Sequence, residues 1–168
     1  MDSINKGKYV MKPCIFSNEQ IEQMASEIHN IYVEYAKTNH QPLEYSTNYN
    51  ELPEANKEPN RAFVRNIQKS IERMEYSIVT IGNKKSIKYF LPNEIESLAE
   101  LEHERWSKEK LDNGWQFGKI KDADHKLHPC LIPWNILPED EREKDRILVK
   151  RIPQILASVG YGVIRINL

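Results

Sequence analysis

Apolar residues recur every three or four positions in four stretches of the chain, and each stretch predicts an amphipathic helix. Ile21, Met24, Ala25, Ile28, Tyr32 and Tyr35 form the first stripe. It follows Ser17-Asn18-Glu19-Gln20, a capping-box pattern, and is expected to run to about Lys37. Phe63, Val64, Ile67, Ile71 and Met74 form the second stripe. Ile95, Leu98, Ala99 and Trp106 form the third, which opens at Pro92 and stops at Asn113-Gly114. Ile147, Leu148, Ile152, Ile155 and Leu156 form the fourth. Pro153 should kink or reset that helix, and Gly160 should end it. Residues 76–81 and 161–166 are rich in β-branched and aromatic residues and predict strands. The turn Gly82-Asn83-Lys84-Lys85 is expected to fold residues 87–90 back on the first strand. Residues 38–51 and 115–133 predict loops.

One segment fits neither period. Residues 128–138 hold three prolines among dense apolar residues, which excludes a long helix. They predict a buried, extended crossing that carries His128 and Trp134 inward. Tyr49-Asn50-Glu51-Leu52-Pro53 echoes its end, and the echo extends along the chain. Ala25, His29 and Tyr32 precede Ala99, His103 and Trp106 by 74 residues. Leu52-Pro53, Arg61, Val64 and Tyr76 precede Leu137-Pro138, Arg146, Val149 and Tyr161 by 85. This register predicts two tandem helix–loop–helix–strand units related by a pseudo-twofold axis. The expected fold is mainly α with short β-strands (α+β). The expected division is a polar leader at 1–12, a degenerate first unit at 13–83 and a second unit at 84–168. The eleven extra residues fall in the second unit's loop.

Charge narrows the function classes. The 168 residues carry 24 basic and 25 acidic side chains, without the basic excess that nucleic-acid binding normally needs. No apolar run reaches the roughly 18 residues of a membrane span. Two cysteines, Cys14 and Cys130, are too few for a disulfide scaffold, so a reducing cytoplasmic setting is expected. Cys130, in apolar surroundings, reads as a small core residue.

Three clusters could carry chemistry. In the first, His103 and Trp106 share a helix face, flanked by Glu104 and Arg105. A buried His that pins the crossing through a backbone carbonyl competes here with a ligand contact. The second runs from Asn113-Gly114-Trp115 to His128, where two glycines bracket exposed-type aromatics. Trp106, Trp115 and Trp134 would line a slot for a planar ligand or form a satellite core. The third is the charged run 139–146. There Arg146, the counterpart of Arg61, would hold an ion pair with a carboxylate such as Glu102 or Glu104, or an anionic ligand. His125 and His128 are loosely spaced and lack a Cys pair, so no metal site is expected. No nucleophile elbow, phosphate loop or metal motif accompanies His103, which argues against an enzyme.

Leu98-Ala99-Glu100-Leu101-Glu102-His103-Glu104-Arg105-Trp106, Asn113-Gly114-Trp115, His128-Pro129-Cys130-Leu131-Ile132-Pro133-Trp134, Leu137-Pro138, Lys144-Asp145-Arg146 and Gly160-Tyr161 resemble the ryanodine-receptor repeat, or RyR domain. The resemblance covers residues 91–166 and is nearest the bacterial and phage versions. Residues 17–81 resemble a degenerate copy that lacks the Asn-Gly-Trp and His-Pro segments. The resemblance implies a mostly helical accessory module, with nucleotide-derived compounds as an expected ligand class, no cofactor and no catalytic residues to carry over. Without a pore helix the chain is not a channel.

These features together point to a non-catalytic, cytoplasmic tandem RyR-domain protein that recognises a small polar ligand, expected to be nucleotide-like. Trp115 and Trp134 would stack a planar group, with Trp106 beside them. His103 and His128 would hydrogen-bond, and Arg105 or Arg146 would pair with a negative charge. The competing class is a protein-interaction or self-assembling module, which would expose an apolar patch or a symmetric interface.

Overall fold

A computed structural model describes residues 14–43 and 46–166. The expected leader, 1–12, lies outside the described residues. Five α-helices dominate, with short strands between them: α1 Asn18–Thr38, α2 Glu54–Glu72, β1 Tyr76–Thr80, α3 Pro92–Asp112, β2 Gln116–Phe117, β3 Leu127–His128, α4 Glu139–Lys150, α5 Ile152–Ser158 and β4 Tyr161–Arg165. Single 3-10 turns, Tyr49–Glu51 and Trp134–Ile136, precede α2 and α4. The fold is mainly helical with a few short strands, as the periodicities predict.

The local signals act as expected. Ser17 Oγ accepts from Gln20 N, and Gln20 Oε1 accepts from Ser17 N, which closes the capping box of α1. α2 starts nine residues before its apolar stripe: Pro53 supplies an extended N-terminal flank, and Pro59 lies inside the helix, in its second turn, where it removes one backbone donor. Pro153 resets the last helix: α4 stops at Lys150, and α5 begins with the proline in its first turn.

One expected pairing is wrong. Residues 87–90 are not a strand, and β1 does not fold back on them. β1 instead pairs antiparallel with β4, Tyr76 opposite Arg165 and Thr80 opposite Tyr161. The 82–91 segment reaches β4 through the bond from Ile87 N to Val163 O at 2.8 Å. Side chains tie the β1–β4 pair to α3. Arg165 donates to Tyr76 Oη and to Glu94 of α3, and Tyr76 Oη donates to Glu94 at 2.6 Å.

The crossing at 128–138 is only partly buried. Trp134 and Leu137 are inside, but His128 is half-buried and Ile136 is exposed. A 3-10 turn at Trp134–Ile136 interrupts the expected extended run. The apolar core is continuous across the chain's midpoint. Met24, Ile28, Ile67 and Ile71 join Leu98, Leu148, Ile155 and Val163 in one cluster. Each such side chain, almost fully buried, contributes roughly 1.5–3 kcal/mol.

Candidate functional site

Five of the seven candidate residues lie along one row of rings. Trp134 is tilted against His103, with centroids 5.8 Å apart, and His103 stacks on Trp106 at 5.9 Å. Trp106 meets His128 edge-on at 4.8 Å, and His128 meets Trp115 at 6.2 Å. The tryptophans are interleaved with histidines, so they do not face one another across an open slot. The row starts in the core at Trp134 and ends at half-buried Trp115. There the Lys110 ammonium sits 4.5 Å over the Trp115 ring. Burial holds the Lys110 pKa below its ordinary value.

Helix α3 positions two of the five rings, because His103 and Trp106 lie one turn apart. The insertion supplies Trp115 and His128, and the 3-10 turn at Trp134–Ile136 supplies Trp134. Gly114 takes φ +81, and Trp115 N then bonds back to Lys110 O at 3.0 Å. β2 runs parallel to β3 with Phe117 beside His128. Gly118 permits that approach, since a Cβ there would lie 2.7 Å from the Leu127 Cβ. Asp122 accepts from both the backbone and the ring of His125, which accounts for that histidine. The Nδ1 of His128 accepts from Cys130 N at 3.1 Å.

His103 holds the crossing, as one of its two readings expected. Its Nε2 lies 2.8 Å from the Ile132 carbonyl, and His29 makes the corresponding 2.9 Å contact with Ser46 O. On its other side, His103 Nδ1 is 3.8 Å from Asp145 Oδ2. Burial, aided by the Glu102 charge, pushes the Asp145 carboxyl up to about 8. Burial also raises the Cys130 thiol to about 12, so it is protonated at neutral pH and a poor nucleophile.

Both candidate arginines are held by carboxylates. Arg105 clasps Glu102 through two nitrogens at 2.7 and 2.8 Å and reaches Glu109 on its other side. Burial pushes the Glu102 pKa up, against the opposing pull of Arg105. Arg146 pairs with Glu96 at 2.7 Å, and also with Glu139 and Glu143. These are ion pairs of the expected kind, but Arg146 has different partners from those the sequence suggested.

The Arg146 clamp recurs around Arg61. Arg61 binds Glu22 and Glu54, and Tyr49 Oη donates to Glu22 at 3.0 Å. Arg146 binds Glu96 and Glu139, and Trp134 Nε1 donates to Glu96 at 3.1 Å. Lys57 lies over Tyr49, and Arg142 over Trp134. Sequence reasoning missed Glu22 and Glu96, although they share the 74-residue offset of the histidines. It also missed Glu54, and it named Glu139 without its pairing to Arg146; these two share the 85-residue offset.

Residues 84–165 match the family model of the RyR domain. The RyR-matched segment thus contains the whole ring row, the insertion and the Arg146 clamp. The Arg61 clamp lies before it. Two hollows open between helices outside the ring row. One of about 310 Å³ lies between α1 and α4, and one of about 200 Å³ lies between α2 and α3. Trp106, Trp115, His128 and Trp134 line neither, whereas Arg105 lines the second. Among the described residues no helix is long and apolar enough to cross a membrane. No group of three or more metal-ligating side chains occurs among them either.

Proposed function

We propose that the chain is a non-catalytic recognition protein built from two RyR-like units, of the bacterial or phage type, in which only the second unit reads a ligand. The duplicated clamps and the duplicated His–carbonyl contacts support the tandem. Their repetition marks them as scaffold. What is not repeated is the insertion that carries Trp115 and His128. The observation that carries the reading is the end of the ring row: a half-buried indole beside His128, with an ammonium 4.5 Å above it. That pairing suits a planar, negatively charged small molecule, such as a nucleotide-derived one, which would displace Lys110 from the indole face. Trp115, His128 and Trp106 are then the contact residues. His103, Trp134, Arg105 and Arg146 hold them in place.

A thermal-shift screen with mono-, di- and cyclic nucleotides tests this. A ligand at 100 times its dissociation constant adds about 2.7 kcal/mol. Trp115→Ala should abolish the shift without lowering the ligand-free melting temperature by more than a few degrees. A shift retained in Trp115→Ala refutes the site.

A second reading, docking of a protein partner or of a second copy, is favoured by Phe117 and Ile120, 55% and 79% exposed in the same insertion. Sedimentation of the Phe117→Ser, Ile120→Ser protein against the parent separates the two. An assembly lost in the variant, with nucleotide binding absent from both proteins, selects the second reading.

A further inference from the structure

The groove between α2 and α3 is lined by two helical stripes of matching period. Asn66, Lys69, Ser70 and Arg73 lie on α2 and its C-cap, and Leu101, Glu104, Arg105 and Lys108 on α3. Only Leu101 is apolar. Most of the charge here is internally balanced: Arg105 is held by Glu102 and Glu109, and Lys108 by Asp112. Lys69, Arg73 and Glu104 are different. Among the described residues, none of the three is held by an ion pair or a side-chain hydrogen bond. Six of the chain's eight arginines are paired with carboxylates, so the unpaired guanidinium of Arg73 in a polar groove is a departure from the molecule's own habit.

Lys69 and Arg73 stand one helical turn apart, a spacing that lets two cations share one anion. Ser70 Oγ already accepts from Asn66 Nδ2 at 2.7 Å, which leaves its hydroxyl proton to donate. On the facing helix Glu104 offers only acceptors. The volume, about 200 Å³, falls below the roughly 300–1,000 Å³ of drug-sized pockets. We infer that this groove is a binding site for a small phosphorylated compound. Its phosphate sits on Lys69, Arg73 and the Ser70 hydroxyl, and its hydroxyl or amino donor sits on Glu104. The site is separate from the Trp115 surface and does not depend on it.

The test is calorimetric titration of the full chain with ribose 5-phosphate, inorganic phosphate and ribose. Ribose 5-phosphate should bind, inorganic phosphate should bind more weakly, and ribose should not bind. Lys69→Gln with Arg73→Gln should weaken ribose 5-phosphate about ten-fold or more for each charged hydrogen bond lost. Glu104→Gln should weaken ribose 5-phosphate but leave inorganic phosphate unchanged or tighter. All three side chains are peripheral, so the ligand-free melting temperature of each variant should match the parent's. Absence of binding, unchanged affinity in the double variant, or equal affinity for the sugar phosphate and the free ion overturns the proposal.

Discussion

Asp145→Asn should stabilise the protein, and by more as the pH rises. The Asp145 carboxyl is 17% exposed and has the Glu102 charge close by. It ionises near pH 8 when folded, against an ordinary value of 3.8. Between these values the folded chain holds one proton more than the unfolded chain. Stability therefore falls with rising pH by about 1.4 kcal/mol per unit, and the loss levels off above about pH 8. Asparagine resembles the protonated acid and carries no such penalty. From pH 5.5 to 7.5 the advantage of Asp145→Asn should grow by about 3 kcal/mol, a large share of a typical total of about 5–15 kcal/mol.

The carboxylates held low by arginines, Glu22 and Glu96 among them, act with the opposite sign. Their contribution is lost only as the pH falls below the usual carboxylate range, outside this window. Urea unfolding followed by tryptophan fluorescence at pH 5.5, 6.5 and 7.5, parent against variant, measures the gap. The competing arrangement is an ionised Asp145 paired with protonated His103 across their 3.8 Å separation. It predicts a variant less stable than the parent at pH 5.5. A gap of that sign, or one that does not change with pH, refutes the reasoning.

Other perturbations follow from the same geometry. Arg61→Ala and Arg146→Ala should each cost about 1–2 kcal/mol in urea titration, since each arginine is largely covered but its carboxylate partners are exposed. His103→Leu should cost about 2–3 kcal/mol by leaving the Ile132 carbonyl without its partner, and His29→Leu should follow it through Ser46. Ser86→Ala should gain about 1 kcal/mol in thermal unfolding, because the Ser86 hydroxyl is buried and has no hydrogen-bond partner among the described residues. Gly162→Ala should lose about 1–3 kcal/mol, since its Cβ would meet Ser86 Oγ at 2.5 Å.

Much of the scaffold is legible in the amino-acid sequence. The helices follow from apolar spacing, and their ends follow from Ser17, Pro92, Asn113 and Pro153, because caps and proline act within a few residues of themselves. The paired offsets locate both histidines and both arginines and suggest a repeated task. The site is less legible. Sequence patterns place seven residues in one binding constellation. The geometry orders five of them into a row of rings, gives Glu102 to Arg105 instead of Arg146, and ties Arg146 to Glu96, which those patterns did not single out.

The sequence by itself determined where the apolar helical stripes lie, several of the helix ends and which positions recur. Those properties depend on neighbours within a turn or two. Only the tertiary structure decided that β1 pairs with β4 instead of the adjacent segment, and that Asp145 is largely covered beside Glu102 and His103. It also decided that Lys69 and Arg73 face Glu104 across a groove. Strand pairing and burial join residues tens of positions apart. The packing of the whole core selects such partners, and no local pattern encodes which distant segment will arrive.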